Sequence, residues 1–135
     1  MNTTRPAAVV VLAAGQGTRM KTSIPKVLQP MCGRSLLEHA IAADRGLDPS
    51  HLVVVVRHER DKVAAHALAF DPDVVVADQD DVKGTGRAVW CALRELPADL
   101  EGPVLVMAGD TPLLSADVLA GLLAEHEGSA VTVLT

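Results

Sequence analysis

The chain has 135 residues and a formal net charge of −5, and 49% of its residues are hydrophobic but only 1% aromatic. The acidic balance argues against a general nucleic-acid binder, which needs a basic face, and the near absence of aromatic rings removes stacking platforms for single strands. A chain of this length is one domain or part of one, and its core must be built from Val, Leu, Ile and Ala.

Apolar runs typical of buried strands alternate with amphipathic helix patterns along the chain. In chain order we predict a strand over 7–14, a helix over 35–46, a strand over 51–57, a helix over 61–70, a strand over 73–78, a helix over 85–96, a strand over 103–110, a helix over 115–127 and a strand over 130–135. Ser35 and Glu38 predict a capping box for the first helix. The alternation predicts an α/β fold with parallel strands joined by right-handed crossovers.

The last predicted strand runs to the final residue of the sequence. A domain rarely ends in a strand whose edge is left unprotected. We therefore expect residues 1–135 to be the N-terminal portion of a longer protein.

Glycines follow the first predicted strand, where ligands of open parallel sheets bind. Gly15 and Gly17 leave backbone room for a phosphate, although a plain tight turn is the alternative. The P-loop pattern is not met. A dinucleotide-binding fingerprint fails twice, because Met20 holds its third glycine position and Arg57 lies where an acidic residue belongs.

Two cations, Arg19 and Lys26, come a short distance after this strand. Each could be an ordinary solvated surface charge. Two cations over a glycine loop also fit a triphosphate, with Arg19 forking onto phosphate oxygens and Lys26 acting as a point charge.

Two further loops at the predicted strand ends carry candidate residues. Gln79 has a donor and an acceptor that suit a pyrimidine edge, and a helix opens near Thr85 with free amides, although such a loop is most often a turn. Gly109 and Asp110 lie at the carboxyl end of the predicted strand over 103–110. Asp110 either caps a turn with Pro112 or binds Mg²⁺, which takes one or two carboxylates together with substrate phosphates.

The remaining features suggest a cytoplasmic protein. Cys32 and Cys91 form no CxxC pair, so reduced thiols are expected rather than a zinc site or a disulfide framework. No apolar run approaches the roughly 20 residues of a membrane helix, and the N-terminus is not a convincing signal peptide. The five histidines are interpreted as surface or satisfied side chains.

The motifs LAAGQGTRM, PKVL, Gln79 five residues before GTG, and GDTPLL together resemble the sugar-nucleotidyltransferase family. Within it, the resemblance is to the uridylyltransferase part of the bifunctional N-acetylglucosamine-1-phosphate uridyltransferases / glucosamine-1-phosphate acetyltransferases. It implies a Rossmann-like nucleotidyltransferase fold with three α/β/α layers. It also implies Mg²⁺-dependent uridylyl transfer from UTP to N-acetylglucosamine 1-phosphate, which supplies precursors of peptidoglycan and lipopolysaccharide.

The resemblance also implies roles for individual residues. It implies catalytic roles for Arg19 and Lys26 and a magnesium ligand in Asp110. It implies nucleotide or substrate binding by Leu12, Ala13, Ala14, Gly15, Gly17, Lys26, Gln79, Gly84, Thr85 and Gly109. Lys83 and Arg87 depart from the family pattern and would add positive charge near the nucleotide, and Cys32 also departs from it.

The resemblance implies that other functional parts lie beyond Thr135. These are the sugar-binding half, a second metal ligand, and a C-terminal β-helix that carries acetyl transfer and forms a homotrimer. We therefore expect this piece alone to be inactive, with UTP and a sugar 1-phosphate as partners and no nucleic acid or membrane.

Two alternatives remain open. One is another nucleotidyltransferase with the same front half, of the type that makes molybdopterin dinucleotides or the cytidylyl intermediate of isoprenoid synthesis. The other is a nucleotide-binding regulatory module without catalysis. The joint presence of Arg19, Lys26 and Asp110 argues against the second.

Overall fold

The structure, a computed structural model, describes residues 5–15, 25–110, 115–126 and 128. Its strands are Ala8–Leu12 (β1), Pro30–Met31 (β2), Arg34–Ser35 (β3), His51–Val56 (β4), Val75–Asp78 (β5) and Val104–Ala108 (β6). Its α-helices are Leu36–Arg45 (α1), Arg60–Phe70 (α2), Thr85–Leu93 (α3) and Ala116–His126 (α4), and a 3₁₀ turn covers Lys26–Leu28. None of the described helices is long and apolar enough to cross a membrane.

Four strands form one parallel sheet in the order β5-β4-β1-β6. β1 lies inside this sheet, where Val10 is opposite Val53 of β4 on one side and Val106 of β6 on the other. β4 pairs with β5 in the same direction. The predicted α/β fold with a mostly parallel sheet is therefore confirmed, and the carboxyl ends of all four strands lie at one edge.

Helices cover both faces of this sheet, which gives the expected three layers. On one face, α1, α2 and α4 pack on β1 and β4 through a cluster that includes Val9, Val54, Leu37, Val63 and Leu119. On the other face, α3 packs Ala88 and Ala92 against Val10 and Val53. Because β1 and β4 are buried on both faces, nearly every residue of these strands is apolar.

The predicted helices and strands within the described residues are all present, with ends that differ by at most three residues. The predicted strand over 130–135 lies outside the described residues. The strand predicted from residue 73 begins at Val75, because Asp71 organises a turn before it. The Asp71 carboxylate accepts hydrogen bonds from the Asp73 amide and from Arg45, and the Arg45 contact lowers the pKa of Asp71.

The predicted capping box at the start of α1 is present. Ser35 Oγ accepts from the Glu38 amide at 3.0 Å, and Glu38 Oε1 accepts from the Ser35 amide at 2.9 Å. His66 of α2 lies with its Nε2 2.8 Å from Ser35 Oγ, and His39 Nε2 is 2.6 Å from the Met31 carbonyl oxygen. These two histidines are satisfied side chains, as expected.

A short antiparallel hairpin of β2 and β3 precedes α1, and the sequence analysis did not predict it. Its two turn residues, Cys32 and Gly33, have φ angles of 52° and 83°. Two consecutive positive φ values are typical of the tight hairpin turn that Asn-Gly or Asp-Gly usually signals. Cys-Gly does not carry that signal, which is why the hairpin was missed.

Asp44 is the one described side chain with buried oxygens that lack a hydrogen-bond partner. It lies on the face of α1 that Leu37, Ala40 and Ile41 present to the core, and it is fully buried. Burial away from water raises the pKa of Asp44 from 3.8 to about 8. The carboxyl group is therefore mainly protonated at neutral pH and destabilises the folded chain when it ionises.

This pKa predicts a specific dependence of stability on pH. The folded-state pKa lies above the unfolded value, so the folded chain loses stability as pH rises from about 4 to about 8 and no further above that range. Replacement of the ionisable group by its neutral isostere in Asp44→Asn should remove this loss. The free energy of unfolding at pH 7 should rise by roughly 4 kcal/mol, measured by urea denaturation.

The matched control is Asp99→Asn, which changes an exposed carboxylate in the same way. Its unfolding curve should follow that of the unmodified chain at pH 5 and at pH 8. If the difference in free energy of unfolding between Asp44→Asn and the unmodified chain is the same at pH 5 and at pH 8, Asp44 does not titrate as described.

Candidate functional site

The candidate site lies where β1 and β6 end side by side. From β1 the chain moves outward through β4 to β5, and then returns to place β6 on the other side of β1. Ligands of open α/β sheets bind at such a reversal, beyond the carboxyl ends of the strands. Two backbone hydrogen bonds extend the ladder past the strand ends, from the Ala13 amide to Val55 and from the Gly109 amide to Leu12, both at 2.9 Å.

Lys26 and Asp110 meet at this edge. Their charged groups form an ion pair with Lys26 Nζ 2.9 Å from Asp110 Oδ2, and the two side chains are 50% and 29% exposed. The contact joins the loop after β1 to the loop after β6, although 83 positions separate the two residues in the sequence. The structure thus brings the predicted cation and the predicted metal ligand to the same place.

Close packing under this pair explains the glycine before Asp110. A Cβ atom on Gly109 would lie 3.2 Å from the Leu12 carbonyl oxygen and 3.3 Å from Val27 Cγ1. Val27 follows Lys26 in the 3₁₀ turn and is buried in the core. Val27 therefore packs against the backbone of the β6 end, and this packing brings Lys26 to Asp110.

The other predicted site residues at the carboxyl end of β1 lie at the same edge. Ala13 is buried, Leu12 and Ala14 are partly buried, and Gly15 is exposed. A Cβ atom on Gly15 would have no heavy atom of the described chain within 4 Å, so a ligand could approach its backbone. The predicted site residues Gly17 and Arg19 lie outside the described residues.

The loop after β5 contains Gln79 and Gly84 and leads into α3 at Thr85. The Gln79 amide extends the ladder to Val56, and its side-chain Nε2 donates to the carbonyl oxygens of Val82 at 3.0 Å and Gly84 at 3.1 Å. Both Nε2 donors are therefore used inside the loop. The sequence analysis expected both the donor and the acceptor of the Gln79 side chain to be available to a base. In the structure, its carbonyl oxygen is the group left for a ligand.

This loop lies three strands away from β6. With neighbouring strands about 4.8 Å apart, the ends of β5 and β6 are separated by roughly 14 Å. A ligand that used both loops would be extended across the carboxyl edge of the sheet, with one end at Gln79 and the other at Lys26 and Asp110.

Arg87 does not add free positive charge to this loop, contrary to the expectation from its departure from the family pattern. Its Nε lies 3.0 Å and 2.9 Å from the two carboxylate oxygens of Asp80, and its Nη2 also donates to Asp80. The hydrogen bonds from Arg87 lower the pKa of Asp80. The guanidinium charge is therefore neutralised locally, by a contact that no sequence pattern could reveal.

The residues around Asp110 fit a metal ion that takes most of its ligands from substrate and water. Among the described residues, no three His, Cys, Asp or Glu side chains are grouped for metal binding. Mg²⁺ is commonly held by one or two carboxylates together with phosphate oxygens, so a single carboxylate beside a cation for phosphate is a suitable start.

The chain matches the family model of the MobA-like NTP transferase domain over residues 9–135. It is 62% identical over 133 residues to the "Bifunctional protein GlmU" of Kineococcus radiotolerans, which covers 96% of this chain and 27% of that protein. The GlmU protein of Micrococcus luteus is 58% identical over 139 residues, covering 97% of this chain and 28% of that protein. The chain thus spans little more than a quarter of these relatives, and the resemblance drawn from the motifs is confirmed.

Solved structures show the same architecture. A nucleotidyl transferase from Methanothermobacter thermautotroptrophicus superimposes with a TM-score of 0.74 at 29% identity, covering 88% of this chain and 56% of that one. Rv0371c from Mycobacterium tuberculosis gives a TM-score of 0.71 at 28% identity, covering 88% and 60%. A complex of Rv0371c with manganese gives 0.65 at 27% identity, covering 87% and 57%.

The ion pair between Lys26 and Asp110 predicts different effects on stability and on binding. Both side chains are partly exposed, so Lys26→Met should change the free energy of unfolding by less than about 1 kcal/mol. Removal of the cation should weaken the binding of a nucleoside triphosphate at least about tenfold. Calorimetric titration and urea denaturation of the same samples measure the two quantities.

The control is Arg5→Gln, which breaks an exposed ion pair with Asp48 before the amino end of the sheet. It should alter stability by a similar amount and leave triphosphate binding unchanged. Loss of several kcal/mol of stability in Lys26→Met, or equal binding in both variants, would mean that Lys26 is a structural rather than a ligand-binding residue.

Proposed function

This chain belongs to the family of MobA-like NTP transferase domains, and on that premise we propose that it is the nucleotide-binding part of a uridylyltransferase. The proposed reaction transfers the uridylyl group of UTP to N-acetylglucosamine 1-phosphate and releases pyrophosphate. The observation that carries the proposal is the contact between Lys26 and Asp110 at the adjoining ends of β1 and β6. It brings together a cation that would meet phosphate and a carboxylate that would hold a metal, at the edge where ligands of open parallel sheets bind.

Enzymes of this family generally use a divalent metal. We propose Mg²⁺ as the ion and Asp110 as one of its ligands, and the manganese complex of Rv0371c supports a divalent site in a protein of this fold. When bound, the ion would neutralise phosphate charge and help to orient the triphosphate. The partial exposure of Asp110 leaves its carboxylate accessible to such an ion.

The chemistry needs little more from the protein than position and charge. An oxygen of the sugar phosphate forms a bond to the α-phosphorus of UTP, and the bond from that phosphorus to the bridging oxygen breaks. The bonding electrons leave with pyrophosphate. The attacking oxygen is already anionic, so no general base is required. Lys26, together with Arg19, would stabilise the charge that develops on the phosphates.

The remaining proposed roles belong to the nucleotide. Leu12, Ala13, Ala14 and Gly15 would hold uracil and ribose, Gly17 and Gly109 would admit the phosphates, and Gln79, Gly84 and Thr85 would complete the uridine site. The exposed backbone at Gly15 supports its proposed position.

Gln79 favours a uracil base over a cytosine base. Its Nε2 is committed to the Val82 and Gly84 carbonyl oxygens, so the acceptor oxygen of its side chain is the atom that can meet a base. Uracil carries an N–H group at position 3, whereas cytosine has an unprotonated acceptor there. With the Gln79 oxygen directed at position 3 of the ring, two facing acceptors would repel each other in a cytosine complex, which argues against the cytidylyl-transferring alternative.

We also propose the context of this domain from the same resemblance. Residues 1–135 would be the N-terminal portion of the uridylyltransferase domain of a longer cytoplasmic enzyme. Its sugar-binding half and a glucosamine-1-phosphate acetyltransferase domain would lie outside this chain, and it would assemble as a homotrimer. The greater length of the curated relatives and the word bifunctional in their name support this proposal.

The proposal predicts nucleotide selectivity that depends on Gln79. In the presence of Mg²⁺, the chain should bind UTP at least about tenfold more tightly than CTP, because at position 3 of the base only uracil carries an N–H group for the Gln79 oxygen. In Gln79→Ala the ratio of the two dissociation constants should fall towards one, mainly through weaker UTP binding. Isothermal titration calorimetry with both nucleotides measures this ratio.

Arg94→Gln serves as a control, since Arg94 caps the C-terminal end of α3, outside the proposed base site. Its selectivity should equal that of the unmodified chain. Equal binding of UTP and CTP by the unmodified chain, or tighter binding of CTP, would refute the proposed uridylyl specificity.

A further inference from the structure

Two arginines, one on α3 and one at its C-terminal cap, stack on the single tryptophan of the chain. The guanidinium carbon of Arg87 lies 4.0 Å from the centroid of the Trp90 ring, and that of Arg94 lies 4.8 Å from it. The ring is 45% exposed, which is unusual for so large an apolar side chain. The spacing of three and four residues places the two arginines beside the same ring on the helix surface.

Arg87 differs from Arg94 in what it binds beyond the ring. Its Nε is within 3.0 Å of both Asp80 carboxylate oxygens. Asp80 Oδ1 also accepts from the Val82 amide at 3.1 Å. A chain of contacts therefore runs from Trp90 through Arg87 and Asp80 to the backbone of the loop after β5.

Gln79 holds the same loop from its other side. Its Nε2 binds the Val82 carbonyl oxygen, so Asp80 and Gln79 hold the amide and the carbonyl group of one exposed residue. Val82 buries little apolar surface that could fix the loop by packing, because it is 53% exposed. The conformation of residues 80–84 thus depends on these polar contacts.

We infer that Arg87 is a positioning residue for nucleotide binding, which it serves by holding Asp80 and thereby the loop that carries Gln79 and Gly84. This inference rests on the proposed function, because it assigns the ordered loop to the base of the nucleotide. Arg87 itself does not touch the ligand. It holds the loop in its binding conformation, so that the entropic cost of ordering the loop on nucleotide binding is smaller.

The stack on Trp90 makes this role physically reasonable. The Asp80 and Arg87 side chains are 38% and 31% exposed, so a free ion pair between them would contribute little. The ring restricts the rotamers of the guanidinium group before the pair forms and adds a cation–π attraction. The planar guanidinium group of Arg87 donates to both carboxylate oxygens of Asp80. The ammonium group of a lysine could not reproduce this geometry.

A purely structural role for this assembly would make a different prediction. If it only stabilised the start of α3, its loss would lower the free energy of unfolding and leave the nucleotide affinity of the folded chain unchanged. A positioning role requires the opposite pattern, in which loop order and affinity change more than global stability.

The test compares Arg87→Gln, Asp80→Asn and the double variant with the matched control Arg94→Gln. Arg94 carries the same charge and stacks on the same ring but makes no hydrogen bond to Asp80 among the contacts described. UTP dissociation constants in Mg²⁺ are measured by calorimetry. Hydrogen exchange at the Val82 amide, without nucleotide, reports the order of the loop, and urea denaturation reports global stability.

Arg87→Gln and Asp80→Asn should each weaken UTP binding about tenfold and speed exchange at Val82, and the double variant should be no worse than the single ones. Arg94→Gln should change UTP binding less than twofold. Unchanged affinity and exchange in Arg87→Gln would overturn the inference, as would weakening that merely follows global stability. If the unmodified chain binds no UTP, the proposed function fails and the nucleotide role fails with it, while the exchange measurement separately shows whether Arg87 orders the loop.

Discussion

The structure depends on β1, which is hydrogen-bonded on both sides and buried on both faces. Its register places Val10 between Val53 and Val106, so the ends of three strands are fixed relative to one another. A shift of one residue would turn every apolar side chain of β1 towards the opposite layer. Packing of the apolar side chains therefore fixes where the polar groups beyond the strand ends lie.

The position of Lys26 depends more on apolar packing than on its ion pair. An ion pair as exposed as that of Lys26 and Asp110 contributes at most about 1 kcal/mol. Burial of the neighbouring Val27 against the β6 end contributes about 2 kcal/mol. Apolar packing thus stabilises this arrangement more than the ion pair does, and it holds the backbone on which the cation stands. The ion pair then orients two side chains that are already close.

Much of the fold, and part of the site, could be predicted from the sequence because both follow from periodic or positional rules. Apolar periodicity indicated the strands and helices, and the rule for strand carboxyl ends indicated the region where Lys26 and Asp110 meet. Contacts without periodicity could not be predicted in this way. Asp80 and Arg87 are seven positions apart across a loop and a helix start, so no pattern joined them. Asp44 lay beside Arg45 and Gly46 at a helix end, where a charge usually faces solvent, yet its helical spacing from Leu37 and Ile41 places it in the core.

Under the proposed function, the pairing of Lys26 with Asp110 also bears on how the site receives its ligands. A metal ion alone would have to compete with the Lys26 ammonium group for the carboxylate, and a triphosphate alone would have to compete with Asp110 for the ammonium group. If the two arrived together, Asp110 would hold the metal and Lys26 would hold phosphate, and neither charge would be left unpaired. Opposite charges would thus remain in contact before and after binding, and the site would favour the metal–nucleotide complex over either component.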